Sequence, residues 1–237
     1  MTKPSKVDRD PARKNRHRGK KTHGRRGCGC LLLLLVACIV TAGLAVHPFS
    51  LRMVGKWLRY EDKIVPADLI LVPRFPEDKD GELYVEAFKE FWAGNGKEIV
   101  IEEDRLLGLS LKELVQKMAK ERGIKDGAIR AIEARGRSDV KAARIKAALL
   151  KNGARKIIVL APSYGSQLLH QLYGSNDRPS DGSLMCLVKP VDVSYFKKDS
   201  WWKNHFSRSL AFREVYAMVS AVSPLKKSST HEDDREK

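Results

Sequence analysis

Lys156-Ile-Ile-Val-Leu160 is the stretch on which the fold turns. Its apolar core is too short for a helix and rich in β-branched residues, so it reads as a strand buried on both faces. The residues before it complete a unit. Ser138 stands where a helix cap is wanted, a helical pattern runs from Asp139 to Lys151, and Gly153 ends it just ahead of the strand. Working outward, the same alternation recurs. Asp68-Leu-Ile-Leu-Val72, Glu98-Ile-Val-Ile101, Ala128 to Ile132 and Leu184 to Val188 read as further strands. Between them lie helices. Leu83, Ala87, Phe88 and Phe91 form one stripe, ended by Gly94-Asn-Gly96; Leu111, Leu114, Val115, Met118 and Ala119 form another, capped by Ser110 and ended at Gly123. Gln167 to Tyr173 and Ser207 to Val222 supply the last two. Alternating strands and helices imply parallel strands joined by right-handed crossovers. The expected fold is therefore α/β, a Rossmann-like doubly wound, mainly parallel sheet.

Ahead of this domain the chain changes character. From Cys28 to Val46 it is apolar except for Gly29, Thr41 and Gly43. Nineteen helical residues rise about 28 Å, close to the roughly 30 Å of a bilayer's hydrocarbon core, so one transmembrane helix is expected. Residues 1–27 hold eleven Lys and Arg against Asp8 and Asp10, whereas residues 60–225 hold 27 basic and 23 acidic residues. Most of the formal charge of +16 thus lies beside the span, not on the domain. That distribution argues against nucleic acid as a partner of the domain. It argues for a lipid bilayer, with the N-terminus cytoplasmic and the domain extracytoplasmic.

The organisation expected is a basic cytoplasmic leader at 1–27, the span at 28–46, a connector at 47–65, the α/β domain at 66–223 and a disordered charged tail at 224–237. Leu35-Val36-Ala37-Cys38 also has the form of a lipoprotein cleavage box, which would make Cys38 a lipidated terminus, but the apolar run continues past it. Cys28, Cys30 and Cys38 lie in or at the span. Only Cys186 falls in the domain, which leaves no disulfide within it.

Ligands of such sheets bind beyond the carboxyl ends of the strands. Arg74, Glu102, Glu103, Arg135, Arg137, Ser138, Ser163 and Tyr164 follow strand ends here. Arginines beside helix starts after Ser138 and after Ser163 favour an anion, because free N–H groups add to the guanidinium field. The alternative is that Ser138 is only a cap and the arginines are solvated or paired. Glu102-Glu103-Asp104 has the composition of a hard-cation loop, although such runs are usually solvated, and no metal is expected. His170 lacks a second ligand at helical spacing, and Ser163 lacks a nucleophile elbow.

The order of these pieces resembles the SanA/ElyC/YdcF family of bacterial envelope-associated proteins over roughly residues 66–217. The carriers are Pro66-Ala-Asp-Leu-Ile-Leu-Val72, Val85-Glu-Ala-Phe-Lys-Glu-Phe-Trp-Ala-Gly94, Ser138-Asp-Val-Lys-Ala-Ala143 and the run from Leu149 to Tyr164, with Trp201-Trp202 and Glu214 as a closing motif. The resemblance implies an N-terminal anchor in the plasma membrane and a role in cell-envelope or cell-wall maintenance. It also marks departures. Val140 and Lys141 stand where the family has Glu and Asn, Gly165 stands where it has His, and the loops opened by Pro73 and Glu102 lack its glycine-rich turns.

Binding without catalysis is the expectation that follows. The ligand would be an anionic lipid-linked or nucleotide-linked envelope metabolite, held by Arg74, Glu102, Arg135, Arg137, Ser138, Ser163 and Tyr164. Two alternatives stand beside it. One is a hydrolase or transferase acting on phosphorylated envelope precursors, with Glu102 or Glu103 as general base; the other is a membrane scaffold with an apolar face near Trp201 and Trp202.

Overall fold

A computed structural model describes residues 26–106, 108–174 and 183–222. The leader up to residue 25, the polar loop at 175–182 and the tail after 222 lie outside the described residues. The chain divides into two compact units, Met1–Val46 and His47–Lys237.

The first unit is described by α1 (Arg26–Val46). Its side chains from Leu31 to Leu44 are exposed throughout, an arrangement that water does not favour. Among the described residues, no single helix is long and apolar enough to cross a membrane. Leu31–Leu44 and Pro48–Trp57 pass that test only when taken together.

The second unit opens with a helix where only a connector was expected, α2 (Pro48–Trp57). The cause was readable. Pro48 suits the first turn, the His47 ring accepts the Phe49 N–H at 3.2 Å, and Leu51, Val54 and Leu58 repeat at helical spacing. The chain then runs extended to β1 (Leu69–Val72). On the way Asp62 binds both ways to a later strand, donating its N–H to Val188 O at 3.0 Å and accepting the Val188 N–H on Oδ2 at 2.8 Å.

After β1 come α3 (Glu82–Trp92), β2 (Ile99–Glu102) and a two-stranded excursion, β3 (Arg105–Leu106) with β4 (Leu109–Ser110). Next are α4 (Leu111–Lys120), β5 (Ile129–Ile132), α5 (Ser138–Lys151) and β6 (Lys156–Pro162). α6 (Ser166–Tyr173), β7 (Met185–Val191) and α7 (His205–Val222) complete the unit. Five strands form one sheet in the order β5-β2-β1-β6-β7, and all its pairings are parallel. The α/β expectation holds.

The central strands are apolar on both faces, as helices on both sides require. Their alternation divides the core in two. Ile70, Val72, Ile99, Ile101, Ile158 and Leu160 face the side filled by α3, α4 and α7. Leu69, Leu71, Val100, Ile157, Val159 and Ala161 face α5 and α6, through Ala142, Ile145, Leu149, Leu169 and Tyr173. Gly153 (φ 86°) takes the left-handed conformation that lets α5 stop and β6 begin. Asp68 then fixes the entry to β6. Its Oδ2 accepts the N–H groups of Lys156 and Arg155 at 2.9 and 2.8 Å, which hold its carboxyl below the usual range.

The serine caps differ from expectation. Ser138 is the first residue of α5, with Arg137 at the cap position and no side-chain bond to the helix start. Ser110 does precede α4, but its hydroxyl donates to Glu103 Oε1 at 2.9 Å instead of capping.

Candidate functional site

The sheet order reverses between β1 and β6, where the chain leaves one neighbour for the other, and the carboxyl ends of these strands open a crevice. Its volume is about 300 Å³, at the small end of the range for small-molecule pockets. The loop after β1 contributes Pro73, Arg74, Phe75, Pro76 and Glu77, and β2 ends in it with Glu102. The start of α5 adds Ser138 and Lys141. One wall is α6, through Leu168, Leu169, Leu172 and Tyr173 with Gly165 ahead of them; α7 adds Arg213, Glu214 and Ala217.

Two charged groups occupy this space. In the first, Glu102 is buried, accepts the Arg74 backbone N–H on Oε2 at 3.0 Å, and pairs through Oε1 with Lys141. Arg74 turns its own guanidinium elsewhere. Its Nε meets Asp104 Oδ2 at 3.0 Å and its Nη1 donates to Phe75 O at 2.7 Å. In the second group Arg213 bridges Glu77 and Glu214, the latter at 3.3 Å. Glu214 is buried, and the loss of water pushes its carboxyl above the usual range despite Arg213 beside it. Glu77 Oε2 is buried without a partner.

The lining thus carries three cations, Arg74, Lys141 and Arg213, against three carboxylates, Glu77, Glu102 and Glu214. The crevice is charge-balanced and strongly dipolar. Two helix starts add to it: α5 and α6 both lack a side-chain cap, and Ser138 and Gly165 place them at its wall. Their first N–H groups have no acceptor within their own helix.

Of the residues expected from the sequence, Arg74, Glu102 and Ser138 come together here. Arg135 and Arg137 do not line the crevice. Both are exposed; Arg137 pairs with Asp139 at 3.2 Å, and the Arg135 carbonyl accepts Arg144 Nη1 at 2.9 Å. Ser163 and Tyr164 are core residues. The Ser163 carbonyl accepts the Ser166 hydroxyl at 3.1 Å, and the Tyr164 ring packs 4.9 Å from that of Phe196. Burial pushes the Tyr164 phenol well above its ordinary value.

Glu102, Glu103 and Asp104 turn to three different partners, Lys141, Ser110 and Arg74. Among the described residues, no group of three or more His, Cys, Asp or Glu is placed to hold a metal ion. His170 stacks on Tyr60 with ring centroids 3.6 Å apart. Cys186 is buried, which pushes its thiol up to about 12 and leaves it unreactive at neutral pH.

Glu77, Lys141, Arg213 and Glu214 were not among the expected ligands. Lys141 had a signal, since it lies three residues after Ser138 on the same helix face. Glu214 had only its place in the closing motif. Glu77 and Arg213 had none, because the contact joins residues 136 positions apart.

The fold and crevice define a class, a doubly wound α/β protein with a small crevice at the point of strand reversal. No family model matches the chain, and no curated protein matches it.

Proposed function

We propose that this chain is a plasma-membrane-anchored, extracytoplasmic α/β protein of the SanA/ElyC/YdcF type, which binds an anionic lipid-linked or nucleotide-linked metabolite of the cell envelope. The observation that carries the binding reading is the uncapped start of α5 at the crevice wall, with Lys141 and Arg213 lining the same space. A phosphate there would meet the first N–H groups of α5, which have no acceptor within the helix, whereas at the α6 start the Gln167 N–H already donates to Leu58 O at 3.2 Å. Arg213 and Lys141 would turn part of their field from their carboxylates to the ligand. The apolar wall of Leu168, Leu169 and Leu172 suits the uncharged part of such a molecule. The anchor reading draws on the exposed apolar side chains of α1 and the basic residues that precede them.

The test is a thermal-shift panel on the full chain in detergent, with polyprenyl phosphate and nucleoside-diphosphate sugars as probes. A concentration-dependent rise in Tm that Lys141→Gln weakens is expected. Indifference to every phosphorylated probe would overturn the binding reading.

A second reading, a hydrolase or transferase on the same precursors, is favoured by one observation. Glu214 keeps its proton to a higher pH than an ordinary carboxyl, which suits a proton donor at a crevice wall. Turnover of a bound probe that Glu214→Gln abolishes without weakening binding would select it.

A further inference from the structure

Helix α2 presents three distinct sides. Leu51, Val54, Gly55 and Leu58 face the domain; Leu51 and Val54 pack against its core and Leu58 is wholly buried within it. Gly55 permits this seat, since a Cβ there would collide with the Lys198 carbonyl and reach Trp201 at 3.0 Å. The Trp201 indole N–H donates to Leu51 O at 2.9 Å and locks the helix in place. On the outer side Phe49, Met53 and Trp57, spaced four apart, are 67%, 52% and 51% exposed. Beside that stripe, on the remaining side, stand exposed Arg52 and Lys56. Phe212 of α7 is also exposed, at 65%, its ring 6.1 Å from that of Trp201.

A stripe of large apolar side chains flanked by unhindered cations, on a helix fixed to a folded body, is the pattern of a helix lying in a lipid headgroup layer. Charge complementarity selects the occupant. Arg52 and Lys56 match anionic headgroups, and Trp57 is the residue type that favours the boundary between acyl chain and water. Chain continuity agrees, because His47 alone separates α2 from the apolar helix α1. α2 is not a continuation of a span through the bilayer, since its inner side is already buried in the domain.

We infer that α2, through Phe49, Met53 and Trp57 with Arg52 and Lys56, docks the domain flat onto the surface of an anionic bilayer and so fixes the face it turns to the membrane. The inference rests on the membrane-anchored reading above, and the experiment separates the two. Full-length chain is reconstituted into phosphatidylglycerol-containing vesicles with bromine at shallow acyl positions. Tryptophan emission is compared between the wild type and Trp57→Phe, and retention on the vesicles is scored after an alkaline wash. Far-UV circular dichroism confirms that the variant is folded.

The expected result is retention, with bromine quenching of an emission component that Trp57→Phe removes and that Arg52→Gln/Lys56→Gln diminishes. Retention without quenching of Trp57 overturns the docking inference and leaves the anchor standing. That is also the result if α2 instead serves a protein partner. Release by the wash, with Trp57 quenched beforehand, supports docking and overturns the anchor. Release without quenching overturns both.

Discussion

The centre of the sheet and the crevice at its carboxyl end are adjoining regions held by opposite means. At Ile70, Leu71, Ile158 and Val159 every side chain is apolar and fully buried, and the strands run in parallel register, Ile70 beside both Ile99 and Ile158. A few residues further along, Glu102 and Glu214 are buried as well, yet each depends on a particular cation or N–H group. The first region needs only volume and pattern. The second needs named partners, since a buried carboxylate without one is costly. Apolar packing therefore tolerates conservative change, whereas the crevice answers to the exact chemistry of single residues.

Substitutions at five positions test or calibrate that contrast, taken from the largest expected effect to the smallest. Ile158→Ala should cost about 2–5 kcal/mol in urea unfolding, the ordinary penalty for a large-to-small change in a packed core. Ile158→Val should cost far less, and an equal cost would break the claim that the centre depends only on volume. Lys141→Met should cost about 1–3 kcal/mol, because Glu102 would keep the Arg74 N–H but lose its cation. Adding Glu102→Gln should recover part of that loss; a double variant no better than the single would show that the pair is not the source.

Asp68→Ala lies outside both regions and calibrates them. It should cost about 1–2 kcal/mol through the Lys156 and Arg155 N–H groups it leaves unpaired. In the wild type the contribution is present above the ordinary aspartate value and fades as pH falls through the lowered folded one. The effect of Asp68→Ala should therefore shrink in strong acid.

The smallest effect concerns Glu214→Gln. The folded carboxyl is raised, so the stability it lends is present below its ordinary value near 4.5 and is lost as pH rises through its folded value. The Gln variant should match the wild type in mild acid and melt slightly higher at pH 8. A lower melting point at pH 8 would mean that the Arg213 contact outweighs the cost of burying the charge.

The same contrast explains what could be read in advance. The strands at Leu69–Val72, Ile99–Glu102 and Lys156–Pro162 follow from short apolar runs, and Gly153 announces a helix end by its chemistry. Arg74, Glu102 and Ser138 were legible because they follow strand ends, where such folds place ligands. Arg135 and Arg137 obeyed the same rule and still fall outside the crevice, since position after a strand does not set the direction of a loop. Ser163 and Tyr164 turned inward for the same reason. Arg213 and Glu214 were hidden in the middle of α7, whose return across the sheet alone brings them against Glu77.

The sequence by itself determined the main strands and helices of the domain, though not α2 or the β3–β4 pair, together with the parallel sheet and the separation of an apolar, basic-flanked N-terminal segment from a nearly neutral domain, because these depend on local period and composition. Only the tertiary structure decided which charges share the crevice, that Glu102 finds Lys141, and that α2 turns Phe49, Met53 and Trp57 outward. Those outcomes depend on contacts between residues far apart in the chain, and no local pattern encodes the angle at which one element meets another.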